Sequence, residues 1–448
     1  MTLSPGTCFA TRTTLRALPL CALGLSGVAV AEPGDHIRIG NTEVVPDLDI
    51  GFEYRSNVYH EEIDPQGGGN LRVAPGLQIT AEGEEHRFSF GGEYEARKQV
   101  FVAFDAADVP PELGATFDQS TAVSSLDRWN DFTADATVNL FRSSQLGFDL
   151  TDKATYRNNV IDSDFSDSPY MTTFRNALEG QIRFKPSSAV EIKGGGMWQY
   201  DDYRVPEFFR VAGIDENEHD PFNNRHMYGP SLSVAWSFFP NTAFVLESRY
   251  LMSRWAVDEV PSQTVDPTLG TPGVTVPKPD SNSLRLAAGL RGRITEKLRI
   301  DLLAGYGTAD YVGASGAAAV DLSGLQRLTV TAQLGYLIRE GSALALGYRR
   351  DFADVFFTNY MSSDFFYLQA DTRLSDLAIS ARYGVRLERY EGGVTRDDVY
   401  NRAALDLGYS LSDWAKLGAG VFYQARYSTD DLVEYDDVGV HLETTFTY

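Results

Sequence analysis

Arginine and acidic side chains recur an even number of positions apart along several stretches of this chain. Arg285, Arg291 and Arg293 share one parity, and Asp131 and Asp135 do so earlier in the sequence. Guanidinium groups bind carboxylates and phosphates, and facing rings of opposite charge can select ions in a water-filled passage. The alternative is a ladder of cross-strand ion pairs that only stabilises a wet interior. The residues predicted to line such an interior are Arg285, Arg291, Arg293, Arg327, Arg349, Arg382, Arg386, Arg402, Arg426, Asp131, Asp135, Glu247 and Asp301.

The two signs of charge are unevenly distributed along the chain. Arginines at these positions concentrate between Arg285 and Arg426, whereas the earlier stretches are richer in acid. If the interior is open, one of its walls is therefore predicted to be basic and another acidic.

Metal, cofactor and catalytic chemistry find little support in the sequence. None of the 6 histidines stands at metal-ligand spacing from another, and none pairs with a serine or aspartate in a catalytic motif. Acidic clusters such as Asp162-x-Asp164 and Asp201-Asp202 lack the spacing and glycine of a calcium loop. The sequence predicts no enzyme, no cofactor and no metal site. The acidic clusters are predicted to form a solvated surface that favours cations at the mouth.

The charged positions lie on segments in which apolar and polar residues alternate. From Val438 to Phe446 the even positions are mostly apolar, while the odd positions include His441 and Glu443. A period of two marks a β-strand with a different solvent on each face. Such runs of roughly 10 to 15 residues recur about 18 times (about 16 to 18), and tight turns alternate with mostly longer connections. The predicted fold class is all-β, a transmembrane antiparallel up-and-down β-barrel.

Aromatic residues cluster near the ends of the predicted strands. Trp198, Trp236, Trp255, Tyr306 and Trp414 are examples. We expect them to form the interfacial girdles of a membrane barrel rather than a sugar-stacking path along its lumen.

The first residues predict the cellular compartment. Arg12 and Arg16 precede an uncharged run that ends in Ala29-Val30-Ala31. A basic start, a short apolar core and a small-x-small end describe a cleavable signal peptide over residues 1–31. Residues 32–448 would then form the barrel, with its N-terminus in the periplasm.

Two further features of the composition exclude other classes of protein. Cys8 and Cys21 are the 2 cysteines of the chain, and both lie in the predicted signal peptide. The mature chain is therefore expected to form no disulfide. The net charge of -23 argues against nucleic-acid binding, because that activity needs a basic surface.

Both ends of the predicted barrel resemble bacterial outer-membrane proteins. The last strand ends in Phe446-Thr447-Tyr448, which resembles their assembly signal and implies insertion by the barrel assembly machinery. Near the start, Gly51-Phe52-Glu53-Tyr54-Arg55-Ser56-Asn57-Val58-Tyr59 is followed by Ala74-Pro75-Gly76-Leu77 and by a strand ending in Tyr94. This opening is similar to that of the β-barrel porin 2 family of Gram-negative bacteria, which includes barrels associated with exopolysaccharide synthesis and export. The resemblance implies a barrel surrounded by outer-membrane lipids and lipopolysaccharide.

Three functions remain open at this point. The first is a porin-like channel for passive diffusion of hydrophilic solutes through a charged lumen. The second is an export conduit associated with exopolysaccharide biosynthesis, in which lumen arginines would guide the carboxylates of an anionic polymer. The third is a structural or adhesive barrel whose lumen is plugged by the long segments 101–126 and 257–280. Small solutes or a polysaccharide are accordingly the expected partners.

Overall fold

The computed structural model describes residues 36–57, 67–102, 128–157, 172–204, 224–256, 259–261, 275–277, 280–312, 324–354, 360–391, 395–430 and 434–448. The predicted signal peptide and most of the two predicted plug segments lie outside these residues, as does Asp162-x-Asp164. No helix in the described segments is long and apolar enough to cross a membrane.

The described residues form strands joined by turns and bends. The strands are β1 (Ile37–Ile39), β2 (Thr42–Arg55), β3 (Gly68–Glu82), β4 (His86–Val102), β5 (Arg128–Leu140), β6 (Leu146–Arg157), β7 (Thr172–Ser187), β8 (Val190–Arg204), β9 (Arg225–Phe239), β10 (Thr242–Trp255), β11 (Glu259–Pro261), β12 (Thr275–Pro277), β13 (Asp280–Arg293), β14 (Leu298–Val312), β15 (Leu325–Arg339), β16 (Ser342–Asp354), β17 (Tyr360–Leu374), β18 (Leu377–Glu391), β19 (Arg396–Ser412), β20 (Ala415–Ser428) and β21 (Tyr435–Thr447). β11 and β12 pair only with each other, in a small separate sheet.

Two sets of consecutive strands, β2–β10 and β13–β21, form the 18-stranded wall of a closed barrel. Neighbours in sequence pair antiparallel, and β2 pairs with β21 from Asp47 opposite Thr447 to Arg55 opposite Gly439, which closes the sheet. The predicted antiparallel barrel of about 18 strands is confirmed. Closure gives each wall strand two partners, so the backbone polar groups are satisfied where water is absent.

The connections differ between the two rims of the barrel. One rim, here the turn rim, has two-residue turns at 188–189, 240–241, 340–341, 375–376 and 413–414. Gly341 has a φ of 75° there, a left-handed conformation that a tight hairpin requires and that glycine adopts without strain. The opposite rim, here the loop rim, carries mostly longer connections. This alternation was predicted from the sequence.

The outer face of the wall is mostly apolar and carries two belts of exposed aromatic side chains, as expected for a barrel in a bilayer. The belt near the turn rim includes Phe88, Phe184, Trp236, Phe238, Phe244, Tyr336, Tyr409, Trp414 and Phe446. The belt near the loop rim includes Tyr54, Tyr156, Trp198, Tyr228, Tyr250, Tyr306 and Tyr423.

Candidate functional site: the charged lumen

The inner face of the barrel carries the charged residues that the sequence singled out. Leu286 and Leu302 of β13 and β14 are exposed on the outer face, so Arg285, Arg291 and Asp301, which have the opposite parity, lie on the inner face. The strand registers extend this face around the wall. It includes Asp131, Asp135, Glu247, Arg327, Arg349, Arg382, Arg386, Arg402, Arg426 and, at the turn rim, Arg293.

Arg291 brings three of these residues together. Its Nη1 donates a hydrogen bond to Glu247 at 2.9 Å, and its Nε donates to Asp301 at 3.0 Å. All three side chains are partly exposed. A guanidinium held between two carboxylates is a fixed charge with a fixed orientation, so this group can interact with a passing ion without reorganising.

Two arginines of β18, Arg382 and Arg386, pair with acids at neighbouring positions of the same inner face. Arg382 contacts Asp406, and Nε of Arg386 lies 2.6 Å from Oε1 of Glu388. The two arginine side chains are only 20% and 28% exposed, respectively. These pairs are therefore part of the wall, in agreement with the ladder interpretation of the charges.

Aromatic rings stand between the arginines on this part of the inner face. Arg402 and Arg55 both lie over the ring of Phe422, at 5.6 Å and 5.4 Å from its centroid. The rings of Phe365 and Tyr367 stack at 5.6 Å on β17. Arginine and aromatic rings together form a surface that can contact a flat or ring-shaped solute while pairing with its negative charge.

Arg426 belongs to a buried network near the loop rim. Its Nε donates to Asp398 at 3.1 Å, and the same carboxylate accepts from Arg396 at 3.2 Å and from Ser428 at 2.6 Å. Asp398, Arg396 and Arg426 are each at most 4% exposed. The network thus fixes the ends of β19 and β20 rather than offering charges to solvent.

Three further predicted arginines contact acids towards the loop rim. Arg327 donates to Glu391 at 2.7 Å and 3.0 Å, and Arg349 donates to Asp351 at 2.8 Å. Nε of Arg285 lies 3.5 Å from Asp351. These contacts link β13 and β15 to the ends of β16 and β18.

The inner face of β2–β5 is rich in acid. In the β5–β6 ladder Asp131 lies opposite Arg157 and Asp135 lies opposite Lys153. Further acids of this face include Asp47, Asp49, Glu53, Glu93 and Glu95. No group of three or more His, Cys, Asp or Glu side chains in the described segments is arranged to hold a metal ion.

Asp201 is a functional candidate whose position differs from the one predicted from the sequence. It was predicted to lie on a solvated acidic surface, and that prediction is wrong because β8 continues to Arg204. Asp201 is fully buried on the inner face, where it accepts hydrogen bonds of 2.6 Å from both Arg175 and Arg225. Continuing the alternation of β8 as far as residue 201 places Asp201 on the inner face.

Trp255 also lies elsewhere than predicted from the sequence. It ends β10 on the inner face, where it is 9% exposed and Arg225 lies over its ring at 5.0 Å. It is therefore not part of a girdle. Trp255 has the same parity as Glu247 and Arg249, which assigns it to the inner face. Its position near the end of a strand does not show which face it lies on.

The family comparison covers almost the whole chain. The family model described as "Putative beta-barrel porin 2" matches residues 34–448. The chain belongs to this family. The resemblance first seen around Gly51 and Pro75 is thereby confirmed, and the chain is an outer-membrane β-barrel. None of the curated proteins matches the sequence.

Several solved structures are similar to the chain at low sequence identity. OccAB3 of Acinetobacter baumannii is 10% identical with a TM-score of 0.43, and the match covers 92% of this chain and 100% of that chain. OpdL of Pseudomonas aeruginosa is 12% identical with a TM-score of 0.44, covering 92% and 99%. The siderophore receptor PirA from Acinetobacter baumannii is 8% identical with a TM-score of 0.45, covering 90% and 80%.

Proposed function

We propose that the barrel is a porin-like channel through which hydrophilic solutes diffuse passively across the outer membrane. This proposal rests on the charges of the inner face, which is rich in arginine on β13–β20 and rich in acidic residues on β2–β5. Arg291 and Arg349 are 35% and 48% exposed, so their charges reach the solvent of the lumen. Walls of opposite sign create a transverse field, which favours the passage of polar and charged solutes over apolar ones.

The turn rim faces the periplasm in this proposal, and the loop rim faces the exterior. Bacterial barrels combine short periplasmic turns with longer extracellular loops. β2 starts and β21 ends at the turn rim, so the N-terminus of the mature chain would be periplasmic.

The test is the conductance of the refolded mature chain in a planar bilayer, with the reversal potential measured in a salt gradient. Steady open steps would support a pore. A preference for cations would mean that the acidic groups govern permeation, and a preference for anions would assign that role to the arginines. A correctly folded barrel that never conducts would refute the channel.

An export conduit for an anionic polysaccharide is the second candidate. The rings of Phe365, Tyr367 and Phe422 with Arg55 and Arg402 favour it, because sugar rings stack on aromatic faces and uronate carboxylates pair with guanidinium groups. Oligouronates should then block the conductance at lower concentrations than neutral oligosaccharides of equal length. Equal block by both would count against this candidate.

A plugged structural or adhesive barrel is the third candidate. Asp49 and Ala74 lie on the inner face of β2 and β3 yet are each only 1% exposed, which favours a lumen that is filled on this side. If the intact barrel is silent, deletion of segment 101–126 or 257–280 should make it conduct. A deletion variant that folds and stays silent would leave the plug without support.

A further inference from the structure

One ladder of the barrel wall ends early. β15 and β16 pair from Arg339 opposite Ser342 up to Val330 opposite Arg350, and within the described residues no further pair joins them. Both strands nevertheless continue towards the loop rim. Residues 325–329 of β15 remain paired with β14, and residues 351–354 of β16 remain paired with β17. The wall is therefore split between these two segments.

Leu328 marks the place of the missing neighbour. It is 67% exposed, which is more than any other large apolar side chain of the described segments. On one side it lies opposite Tyr306 of β14. Its exposure is the result of the split, because the next strand does not cover its other side.

The end of β16 has turned into the lumen. Leu344 and Leu346 are outer-face residues with exposures of 39% and 56%. Phe352 has the same parity, so a regular continuation of the strand would place it on the outer face as well. Instead it is 3% exposed, and its ring lies against the inner face of β13 and β14. Arg285 stacks over it at 4.4 Å, and a Cβ added to Gly307 would lie 2.2 Å from its Cε1.

Polar contacts hold residues 351–354, here called the tip, in this tucked position. The carboxylate of Asp354 accepts hydrogen bonds from Ser281 and, at 3.2 Å, from Tyr311. Its backbone carbonyl accepts from Arg225 of β9 at 3.4 Å. The tip thus lies against the inner faces of β14 and β13, where the side chain of Arg225 from β9 also reaches it, and it occupies part of the mouth.

Apolar contacts add to these. Phe352 and Tyr360 form a buried cluster with Ala309, Tyr311 and Leu325. The two tyrosine rings stack at 6.0 Å. The outer face of the β16–β17 ends is packed against the inner face of β14 and β15, as two overlapping edges of one sheet.

We propose that the tip is a two-position gate at the mouth of the barrel. The position described above is the closed one. In the other, the β15–β16 ladder continues in register, which places Phe352 opposite Leu328 and Asp354 opposite Gln326. Phe352 then lies on the outer face beside Leu328 and Tyr306, where its parity and apolar character suit the loop-rim belt.

The closed and open positions of the tip are stabilised by different contacts of similar kinds. Opening gives up the cluster around Tyr311 and the hydrogen bonds of Asp354, and it gains backbone pairs to residues 326–329 together with cover for Leu328. A few such contacts are enough to set the balance between two packed arrangements. Opening removes the tip from the lumen and widens the mouth. The gating consequence rests on the proposed channel, whereas the two positions of the tip do not.

The experiment uses the full mature chain with Leu328→Cys and Phe352→Cys combined. These positions face each other only in the open register, and the 2 native cysteines lie in the predicted signal peptide. Mild oxidation is expected to form a disulfide, seen as a mobility shift on a non-reducing gel. In a planar bilayer the oxidised barrel should lose its low-conductance level, and a reductant should restore that level.

The matched control is Leu334→Cys with Leu346→Cys, which lie opposite each other in the same ladder. Hydrogen-bonded and non-hydrogen-bonded pairs alternate along an antiparallel ladder, so the control pair and the test pair are of the same class. The control should cross-link as readily and leave the conductance unchanged. In a second test, a short bifunctional thiol reagent joining Ser281→Cys to Asp354→Cys should abolish the high-conductance level.

The outcomes separate the gate from the channel. If the control cross-links and the test pair does not, the tip has one position and the proposal is overturned. If the test pair cross-links without changing the conductance, the tip moves but is no gate, and the proposal is again overturned. A control barrel that folds and never conducts refutes the proposed channel instead, and the cross-link then decides by itself whether the tip moves.

Discussion

Two adjacent acids on β19 allow the stability of the buried inner network to be measured against an internal control. Asp398 lies on the inner face, is 2% exposed, and accepts hydrogen bonds from Arg396 at 3.2 Å and from Arg426 at 3.1 Å. Asp397 lies on the outer face and pairs with Arg389 at 2.9 Å, with both side chains more than half exposed. The two aspartates differ in burial while sharing a strand and a level in the barrel.

We expect Asp398→Ala to lower the free energy of unfolding by about 3 to 5 kcal/mol, because two buried guanidinium groups lose the carboxylate that they share. A hydrogen bond to a charged group contributes about 1.5 to 3 kcal/mol, so the loss of two gives about 3 to 6 kcal/mol and agrees with this range. Asp397→Ala removes a solvated pair, and we expect no measurable change.

The assay is denaturant unfolding of the refolded barrel in lipid vesicles, followed by tryptophan fluorescence and by heat-modifiable migration on a gel. The slope of the free energy against denaturant should be the same for both variants, since neither changes the surface exposed on unfolding. Equal effects of the two substitutions would refute the reasoning, because the network would then be no more buried than the outer pair.

The remaining predictions concern selectivity, assembly and packing. Arg291→Gln should move the reversal potential in a salt gradient towards cation preference, because it removes a lumen charge, whereas Arg389→Gln on the outer face should leave it unchanged. Deletion of Tyr448, whose backbone N–H donates to the barrel wall at 2.9 Å, should reduce the amount of folded barrel recovered from the outer membrane of cells more than refolding in vitro. Gly347→Ala should displace the ring of Tyr367, which lies 2.0 Å from the added Cβ, and lower the free energy of unfolding by about 1 to 3 kcal/mol, measured by the same denaturant titration; an unchanged near-ultraviolet circular dichroism spectrum would contradict the clash.

The strands were predictable because lipid and water lie on opposite faces of the wall. A period of two then assigns each residue a face without any knowledge of its neighbours, and this assignment holds for Arg291, Glu247 and Asp301. It also locates the turns, since the pattern breaks where the chain leaves the membrane. The alternation of short and longer connections follows from the same pattern.

The contacts between inner-face residues were not predictable, because they depend on the register between strands. Counting from the turn at 413–414 would place Asp398 opposite Thr429. A bulge between Ser410 and Ser412 shifts the ladder by one residue, so that Asp398 lies opposite Ser428 instead. One residue of shift changes which side chains meet across the whole hairpin. The partners of Asp398 therefore follow only from the three-dimensional structure.

Phe352 shows why the split in the wall escapes a pattern argument. Alternation predicts a face only where the two faces meet different solvents. Arg350 is a charged residue on the outer face. Beyond it the strand lies outside the apolar band, so water can contact both of its faces. An aromatic ring there is stabilised by burial on either face, inside the mouth against Gly307 or outside beside Leu328. Phe352 has the parity of an outer-face residue, yet its ring is buried on the inner face. Such a mismatch is expected of a strand end that can adopt two positions.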